Sequence, residues 1–433
     1  MPAESPALPP RPLRWLFLDL NSYFASVEQQ LQPSLRGKPI IVAPIGSDTT
    51  VAIAASVEAK RYGIRTGTPV WEAKRLCRDL IVTPARHERY VAFHEAIVAE
   101  IERHIPVTKV CSIDEVACRL LDNENDRASA EALARRIKAG IRERVGQCLT
   151  SSVGIAPNRL LVKLASDLQK PDGLVVFEAA ALPEALYPLQ LQDIAGIGAK
   201  MAKRLAADGV NDIRQLCERR PRDAGHAWGG TDGDRLWYLL HGVDLPEKPT
   251  KTRTIGHSHV LSPSKRGWEA ARLTARRLAL KAASRLRRKG YRARVLVLHA
   301  RFEDDKSTWR TSAKLGDAED SFVILSRLEL LLGRLRDAGR TRTGGFRVRM
   351  IGVTLAEVAP VAADQRSLFA HLDPDDPLAR ETRGLALSRA MDRINQRFGR
   401  NAVTVGPLGG GRADHVGTKI AFGRIPELGE FRE

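Results

Sequence analysis

Residues 14–20 read Arg-Trp-Leu-Phe-Leu-Asp-Leu, an apolar run with one carboxylate, Asp19, placed just before its end. A run this short, bounded by polar residues, fits a buried strand better than a helix. Helical periodicity follows from Ser22 to about Leu31, with Ser22 as candidate N-cap. Asp19 is therefore expected at the end of a core strand, where solubility gives no reason for a charge. A second stretch, residues 108–121 (TKVCSIDEVACRLL), reads as a β-hairpin or bulged strand carrying the adjacent acids Asp114 and Glu115. Neighbours on a regular strand point to opposite faces, so these two converge only if a turn or bulge re-aims one of them.

Working outward, strands are expected at 39–43, 50–56 and 150–156, and helices through the 70s, at 88–105, 127–146 and 158–169. The last helix is stopped by Lys170-Pro171-Asp172-Gly173. The first 175 residues thus form an α/β layer. From 180 to 245 the pattern is short helices centred on IAGIGAKMAKRLAADGV (194–210), and DLPEKPTKTRT (244–254) reads as a linker. Beyond it, a long basic helix (264–289), a strand (291–302), a helix (319–338) and a strand (346–358) suggest an α+β domain with its helices on one face of the sheet. Residues 359–433 are expected to be largely disordered, with one helical patch at 385–397.

Charge sharpens this division. The chain of 433 residues carries a net +18, yet residues 251–358 alone hold 25 Lys+Arg against 10 Asp+Glu, leaving 44 against 41 elsewhere. A surplus so concentrated points to binding a phosphate backbone rather than to general solubility. No apolar run approaches the length of a membrane span, and the proline-rich start resembles neither signal nor transit peptide, so a cytoplasmic protein is expected. The five cysteines, at 77, 111, 118, 148 and 217, form no CxxC pair and read as reduced thiols.

Three converging carboxylates would repel one another unless cations neutralised them, and their oxygens suit a hard divalent metal. Two Mg²⁺ ions could then clamp the attacking and leaving oxygens of a phosphoryl-type displacement. An isolated buried Asp capping a turn is the commoner case when nothing else is known.

The wider sequence adds a resemblance. FLDLNSYFASVEQQLQPSLRGKPIIVAP, which opens at Phe17, together with ASVEAKRYGIRTGTP (55–69), CSIDEVACRLL (111–121) and SSVGIAPNRLLVKLASDLQKPDG (151–173), resembles the Y-family DNA polymerases of the DinB/UmuC class. The likeness spans roughly residues 14–360 and is looser in the basic domain, through IGHSHVL (255–261) and VRMIGVTL (348–355).

The resemblance implies a multidomain α/β and α+β right hand. A palm would comprise residues 12–20 and 88–178, small fingers 21–87, a helical thumb 179–246, a DNA-binding little finger 247–358, and a mostly flexible tail 359–433. Its metal ligands would be Asp19, Asp114, Glu115 and the Leu20 carbonyl, holding two Mg²⁺ ions. Phe24 would be the steric gate against a ribose 2′-OH, with Tyr23 lining the same pocket. Lys163 and Lys60 would hold the triphosphate. The sequence departs from the family at 57 and 60, where Val57 and Lys60 replace the usual Tyr and Arg: valine has no donor, and lysine keeps the charge but loses the bidentate fork. Asn21 stands where many members have a second aspartate.

Gly196 and Gly198 with Lys200 resemble a helix-hairpin-helix, which offers backbone N–H groups to a DNA phosphate. Gln365, Leu368 and Phe369 resemble the peptide by which bacterial polymerases dock on the sliding clamp (beta subunit). MDRINQRFGR (391–400) is similar to UmuC-type members and leans the chain toward that branch.

The implied partners are primer-template DNA, dNTP and the clamp, with a monomeric chain and room for an accessory subunit. The implied reaction is template-directed, low-fidelity DNA synthesis past damaged bases, without proofreading. Two rival readings are a catalytically weak or inactive adapter that binds DNA and clamp and recruits another polymerase, and a nucleotidyl-transfer enzyme such as a cyclase on a similar palm.

Overall fold

The structure is a computed structural model and describes residues 12–44, 48, 50–305, 307–342, 345–361, 377–399, 402–406, 425–426 and 428–431. The chain divides into two compact units, 1–247 with 418–431, and 248–417 with the last two residues. The clamp-like residues Gln365, Leu368 and Phe369 lie outside the described residues.

In the first unit, β1 (Trp15–Leu20) is buried along its whole length. It runs between two antiparallel neighbours, β6 (Glu115–Arg119) and β7 (Ser151–Ala156), in a five-stranded sheet of order β5-β6-β1-β7-β8. The edges are β5 (Val107–Val110), antiparallel to β6, and β8 (Leu174–Val176), parallel to β7. One face is covered by α4 (His87–Glu102) and α5 (Arg127–Gly140), which bury Tyr90, Ile97, Ile101, Leu133 and Ile137 against Leu16, Leu18 and Val116. The other face packs on α6 (Arg159–Leu168), through Phe17, Leu161 and Ala165. Alternation along β1 divides its side chains between these two cores.

Between β1 and α4 come α1 (Tyr23–Leu31), β2 (Ile40–Ala43), β3 (Ala54–Ala55), α2 (Val57–Lys60), α3 (Val70–Leu76) and β4 (Ile81–Pro84), with a small sheet of order β3-β2-β4. Two expectations fail here. The strand at 50–56 shrinks to two paired residues and a single bridge from Val51 to Pro69. Ser22 occupies the N-cap position of α1 with a left-handed backbone (φ 51°) and caps nothing with its hydroxyl. In that conformation the side chain cannot reach the first-turn N–H groups.

Glu28 on α1 is fully buried, and its carboxylate is held by a bidentate Arg86 and by the Tyr90 hydroxyl, which donates to Oε1 at 2.8 Å. Arg86→Ala would leave that charge unpaired in the core. The variant is expected to lose about 3 kcal/mol of stability, seen as a lower urea midpoint, because an uncompensated buried ion is far costlier than a lost surface pair. Glu28→Gln should cost less.

After β8 the chain forms short helices α7 (Ala199–Ala207), α8 (Ile213–Cys217), α9 (Pro221–Trp228) and α10 (Thr231–Leu240), packed around Leu205, Ile213, Leu236 and Leu240.

The second unit is an antiparallel sheet of order β11-β10-β12-β9, formed by β9 (Thr254–Val260), β10 (Tyr291–Phe302), β11 (Trp309–Ala318) and β12 (Val348–Pro360). Helices α11 (Trp268–Arg288) and α12 (Ser321–Arg340) both pack on one face, meeting Leu296, Leu298, Ile351 and Val353. Sequence periodicity missed β9 and β11, because they are polar edge strands whose side chains give no core signal. The helix in the tail is longer than expected: α13 runs Pro377–Phe398, and Ser388 and Asp392 tie it to Asp320 and Arg287. All five cysteines are free.

Candidate active site

The register of the central sheet decides which residues meet. Asp19 lies directly across from Glu115 on β6 and from Ser152 on β7. Asp114 is the last residue of the turn before β6, and its carbonyl accepts the Leu20 N–H at 2.8 Å. The turn is irregular, since the Cys111 and Ser112 N–H groups both donate to the Glu115 carbonyl. Asp114 thus sits just outside the regular alternation of β6. Ser112 Oγ donates to Asp114 Oδ1 at 2.5 Å, and His94 bonds the Ile113 carbonyl at 2.8 Å. Burial holds the His94 pKa below its usual value, so the ring is neutral and its Nδ1–H is the donor.

Burial raises the Asp114 carboxyl above the normal carboxylate range, and the charges of Asp19 and Glu115 push it the same way. Both neighbouring acids therefore act on Asp114. Among the described residues no group of three His, Cys, Asp or Glu side chains stands ready as metal ligands. Two ammonium groups occupy the carboxylates instead. Lys163 on α6 reaches Asp19 Oδ2 at 2.8 Å, Glu115 Oε1 at 2.9 Å and Asp167 Oδ1 at 3.0 Å. Lys170 reaches Asp19 Oδ2 and Asp167 Oδ1, each at 2.8 Å. Burial alone would lower the Lys163 pKa, but Asp19 and Glu115 outweigh it and hold the ammonium above its ordinary value. Lys60 on α2 is shifted down, by desolvation and then by the like charge of Lys170, with Asp19 opposing. These couplings bring Lys60 into the same electrostatic neighbourhood.

Phe24, half-buried on α1, stacks on Tyr90 with ring centroids 4.3 Å apart and 13° between planes, and meets His87 edge-on at 6.2 Å. Tyr23, expected to line the same pocket, is 3% exposed, and its hydroxyl donates to the Tyr90 carbonyl at 2.6 Å. It braces the platform under Phe24. Val57 opens α2 just after its N-cap, Ser56, and is partly exposed.

Gly196 has a left-handed φ of 100°, which favours glycine, and Gly198 caps α7 with Lys200 exposed beside it. Ile194 and Ile197 are buried and anchor this turn. In the second unit, the sheet face away from α11 and α12 carries Arg301, His299 and Val297 on β10, Arg310, Ser312 and Lys314 on β11, Thr354 and Gly352 on β12, and Ser258 on β9. It is open, small-featured and basic. A Cβ at Gly352 would come within 2.2 Å of the His299 ring, so glycine keeps this face flat. Several arginines off this face are paired with acids, as in Arg276–Glu329, Arg287–Asp392 and Arg342–Asp304.

Sequence reading missed Lys170, Asp167, Tyr90 and His94. The spacing Lys163, Asp167, Lys170, four and then three residues apart across the end of α6, was the available signal for the first two.

This geometry can be set beside known proteins. Residues 18–167 match the impB/mucB/samB family and residues 252–368 its C-terminal domain. The chain is 34% identical over 400 residues to a DNA polymerase IV of Moorella thermoacetica, covering 90% of this chain and 94% of that one. It belongs to the Y family of DNA polymerases. A DNA polymerase IV of Bacillus velezensis is 30% identical over 90% of this chain and 92% of its own length. A Y-family Dbh–Dpo4 chimera superposes with a TM-score of 0.66 at 25% identity, covering 80% of this chain and 99% of that one, and an insertion ternary complex of Dbh DNA polymerase with 0.52. The fold of this Y-family polymerase is the right hand expected from its sequence. The relatives also correct one leaning: they carry the name DNA polymerase IV and place the chain with the DinB class, not the UmuC branch suggested by residues 391–400.

Proposed function

We propose that this DNA polymerase extends primers on damaged templates, adding deoxynucleotides to a 3′-OH and releasing pyrophosphate, with low fidelity and no proofreading. The observation that carries the reading is the cross-strand pair of Asp19 and Glu115 sharing a cation, the Lys163 ammonium, beside Asp114. Carboxylate oxygens that already close on a positive charge suit a hard divalent ion. Asp19, Asp114, Glu115 and the Leu20 carbonyl would hold two Mg²⁺ ions. When bound, these would supply activation of the primer hydroxyl and neutralisation of the leaving phosphate charge.

The remaining steps belong to the chain itself. Lys163 and Lys60 supply point charges for the triphosphate. Phe24, fixed by its stack on Tyr90, meets the sugar and leaves no room for a 2′-OH. The turn at Gly196 and Gly198, with Lys200, offers N–H groups to a backbone phosphate, and the basic sheet face of the second unit tracks the duplex without reading bases. We assign the palm to residues 12–20 and 88–178, the fingers to 21–87, the thumb to 179–246 and the little finger to 247–358.

No helix among the described residues is long and apolar enough to cross a membrane, and the proposed site of action is the cytoplasm, on chromosomal DNA, as a monomer. The reading is tested by primer extension: template-dictated incorporation that needs both primer and template supports it. Pyrophosphate release without DNA would point to a cyclase-like enzyme, and DNA binding without incorporation to an adapter. The adapter reading is disfavoured by the assembled carboxylates.

Gln365, Leu368 and Phe369 are proposed to dock on the sliding clamp, two apolar anchors following a glutamine. Deleting residues 365–369 should shorten product length about tenfold when clamp is present and leave synthesis without clamp unchanged. Equal loss in both conditions would remove the docking role.

A further inference from the structure

Asp19 and Glu115 take their places from the strand ladder, but Asp114 stands in the turn before β6 and needs other supports. One comes from the sheet, where the Leu20 N–H donates to the Asp114 carbonyl at 2.8 Å. The rest act on the peptide unit that joins Ile113 to Asp114. At its oxygen end, His94 Nδ1–H donates to the Ile113 carbonyl at 2.8 Å, with both residues buried. At its other end, the Asp114 N–H donates to Ser112 Oγ at 3.3 Å, and the same hydroxyl donates to Asp114 Oδ1 at 2.5 Å. A peptide unit is planar, so holding its oxygen and its N–H fixes the plane from which the Asp114 side chain departs.

The helix that delivers the imidazole is itself locked one turn earlier. Tyr90, fully buried on α4, donates from its hydroxyl to Glu28 Oε1 at 2.8 Å and accepts the Arg86 N–H at 3.1 Å. Ile97 and Ile101, further along α4, are buried in the same core. Four residues apart, α4 thus supports the Phe24 ring through Tyr90 and the Asp114 peptide through His94. The two supports are separate contacts, so they can be broken one at a time.

We infer that His94 is a positioning residue for the chemical step, acting through the Ile113–Asp114 peptide to aim the Asp114 carboxylate. The inference rests on the function proposed above. It differs from a packing role, in which the imidazole would only fill the space between α4 and the turn.

Single-turnover incorporation by the full-length protein on primer-template, with dNTP concentration varied, separates the two. His94→Leu removes the donor and keeps an apolar side chain there. It should lower the maximal rate about thirtyfold and leave the dNTP Kd unchanged, since a misplacement of about 1 Å at a reacting centre costs about a hundredfold. His94→Asn, whose Nδ2–H can stand where the imidazole Nδ1–H does, should restore most of the rate despite its smaller volume. A packing role predicts the reverse order, and that order would overturn the inference. Selectivity for dNTP over rNTP should match wild type in both variants; its loss in His94→Leu would mean that α4 has moved as a whole, and would also overturn it. Mn²⁺ binding to the protein–DNA complex, read by electron paramagnetic resonance without turnover, should weaken about tenfold in His94→Leu and recover in His94→Asn, as for other groups that orient a metal ligand. Wild-type Mn²⁺ affinity in His94→Leu would count against the inference. A wild-type protein that incorporates no nucleotide would sink the proposed function instead, and the Mn²⁺ measurement would still decide the role of His94.

Discussion

Asp114→Ala is expected to lower primer extension by about a thousandfold or more while leaving the protein folded. Transition-state charge stabilisation at such a site is worth several kcal/mol, and each 1.36 kcal/mol is tenfold in rate. The fold tolerates the change because the residue's structural contribution is made by its backbone, whose carbonyl accepts the Leu20 N–H at 2.8 Å. Its carboxylate is half-buried, raised in pKa by desolvation, and repelled by Asp19 and Glu115. Removing that repulsion offsets the lost hydrogen bond from Ser112, about 1 kcal/mol. A melting temperature within a few degrees of wild type, with extension abolished, is the expected pair of results. Extension that survives the substitution would mean that the carboxylates are not the catalytic centre.

Phe24→Ala should have the second largest effect, and on selectivity rather than rate. The ring lies flat on Tyr90, and Tyr90 is fixed by Glu28, by the Arg86 N–H and by the Tyr23 hydroxyl at its carbonyl. With Tyr90 pinned at its hydroxyl and at its backbone, the Phe24 ring stacked on it is expected to resist displacement by an extra hydroxyl. Replacing it with a methyl group should cut the discrimination between dNTP and rNTP about a hundredfold, measured as the ratio of kcat/KM values. The loss of a half-buried aromatic contact should also cost about 1–2 kcal/mol of stability. Unchanged sugar selectivity alongside that destabilisation would make Phe24 a core residue and nothing more.

Much of this was legible in the chain. The strand ending in Asp19, the hairpin carrying Asp114 and Glu115, the helix of Lys163 and the α+β basic unit all follow from local periodicity, turn residues and charge. Local pattern was weakest where an element has no core-facing signal of its own. Strands β9 and β11 are polar edges, and 50–56 is apolar but pairs only over Ala54 and Ala55. Tyr23 and Phe24 are neighbours in sequence but differ in exposure, Tyr23 at 3% and Phe24 half-buried. Helical geometry turns adjacent residues about 100° apart, and only packing shows that one faces outward while the other is buried.

By itself, then, the sequence determined which carboxylates interrupt apolar strands, where the basic charge is concentrated, and which family the motifs resemble, because these properties are written in contiguous residues. The tertiary structure decided what meets what. The register that sets Asp19 against Glu115, the backbone bond from Leu20 to Asp114, the hydrogen bond from the Asp172 N–H to Asn21 and the two lysines on one aspartate join positions up to about 150 residues apart. Strand pairing and side-chain direction follow from burying both faces of one sheet at once, a condition that no single segment contains.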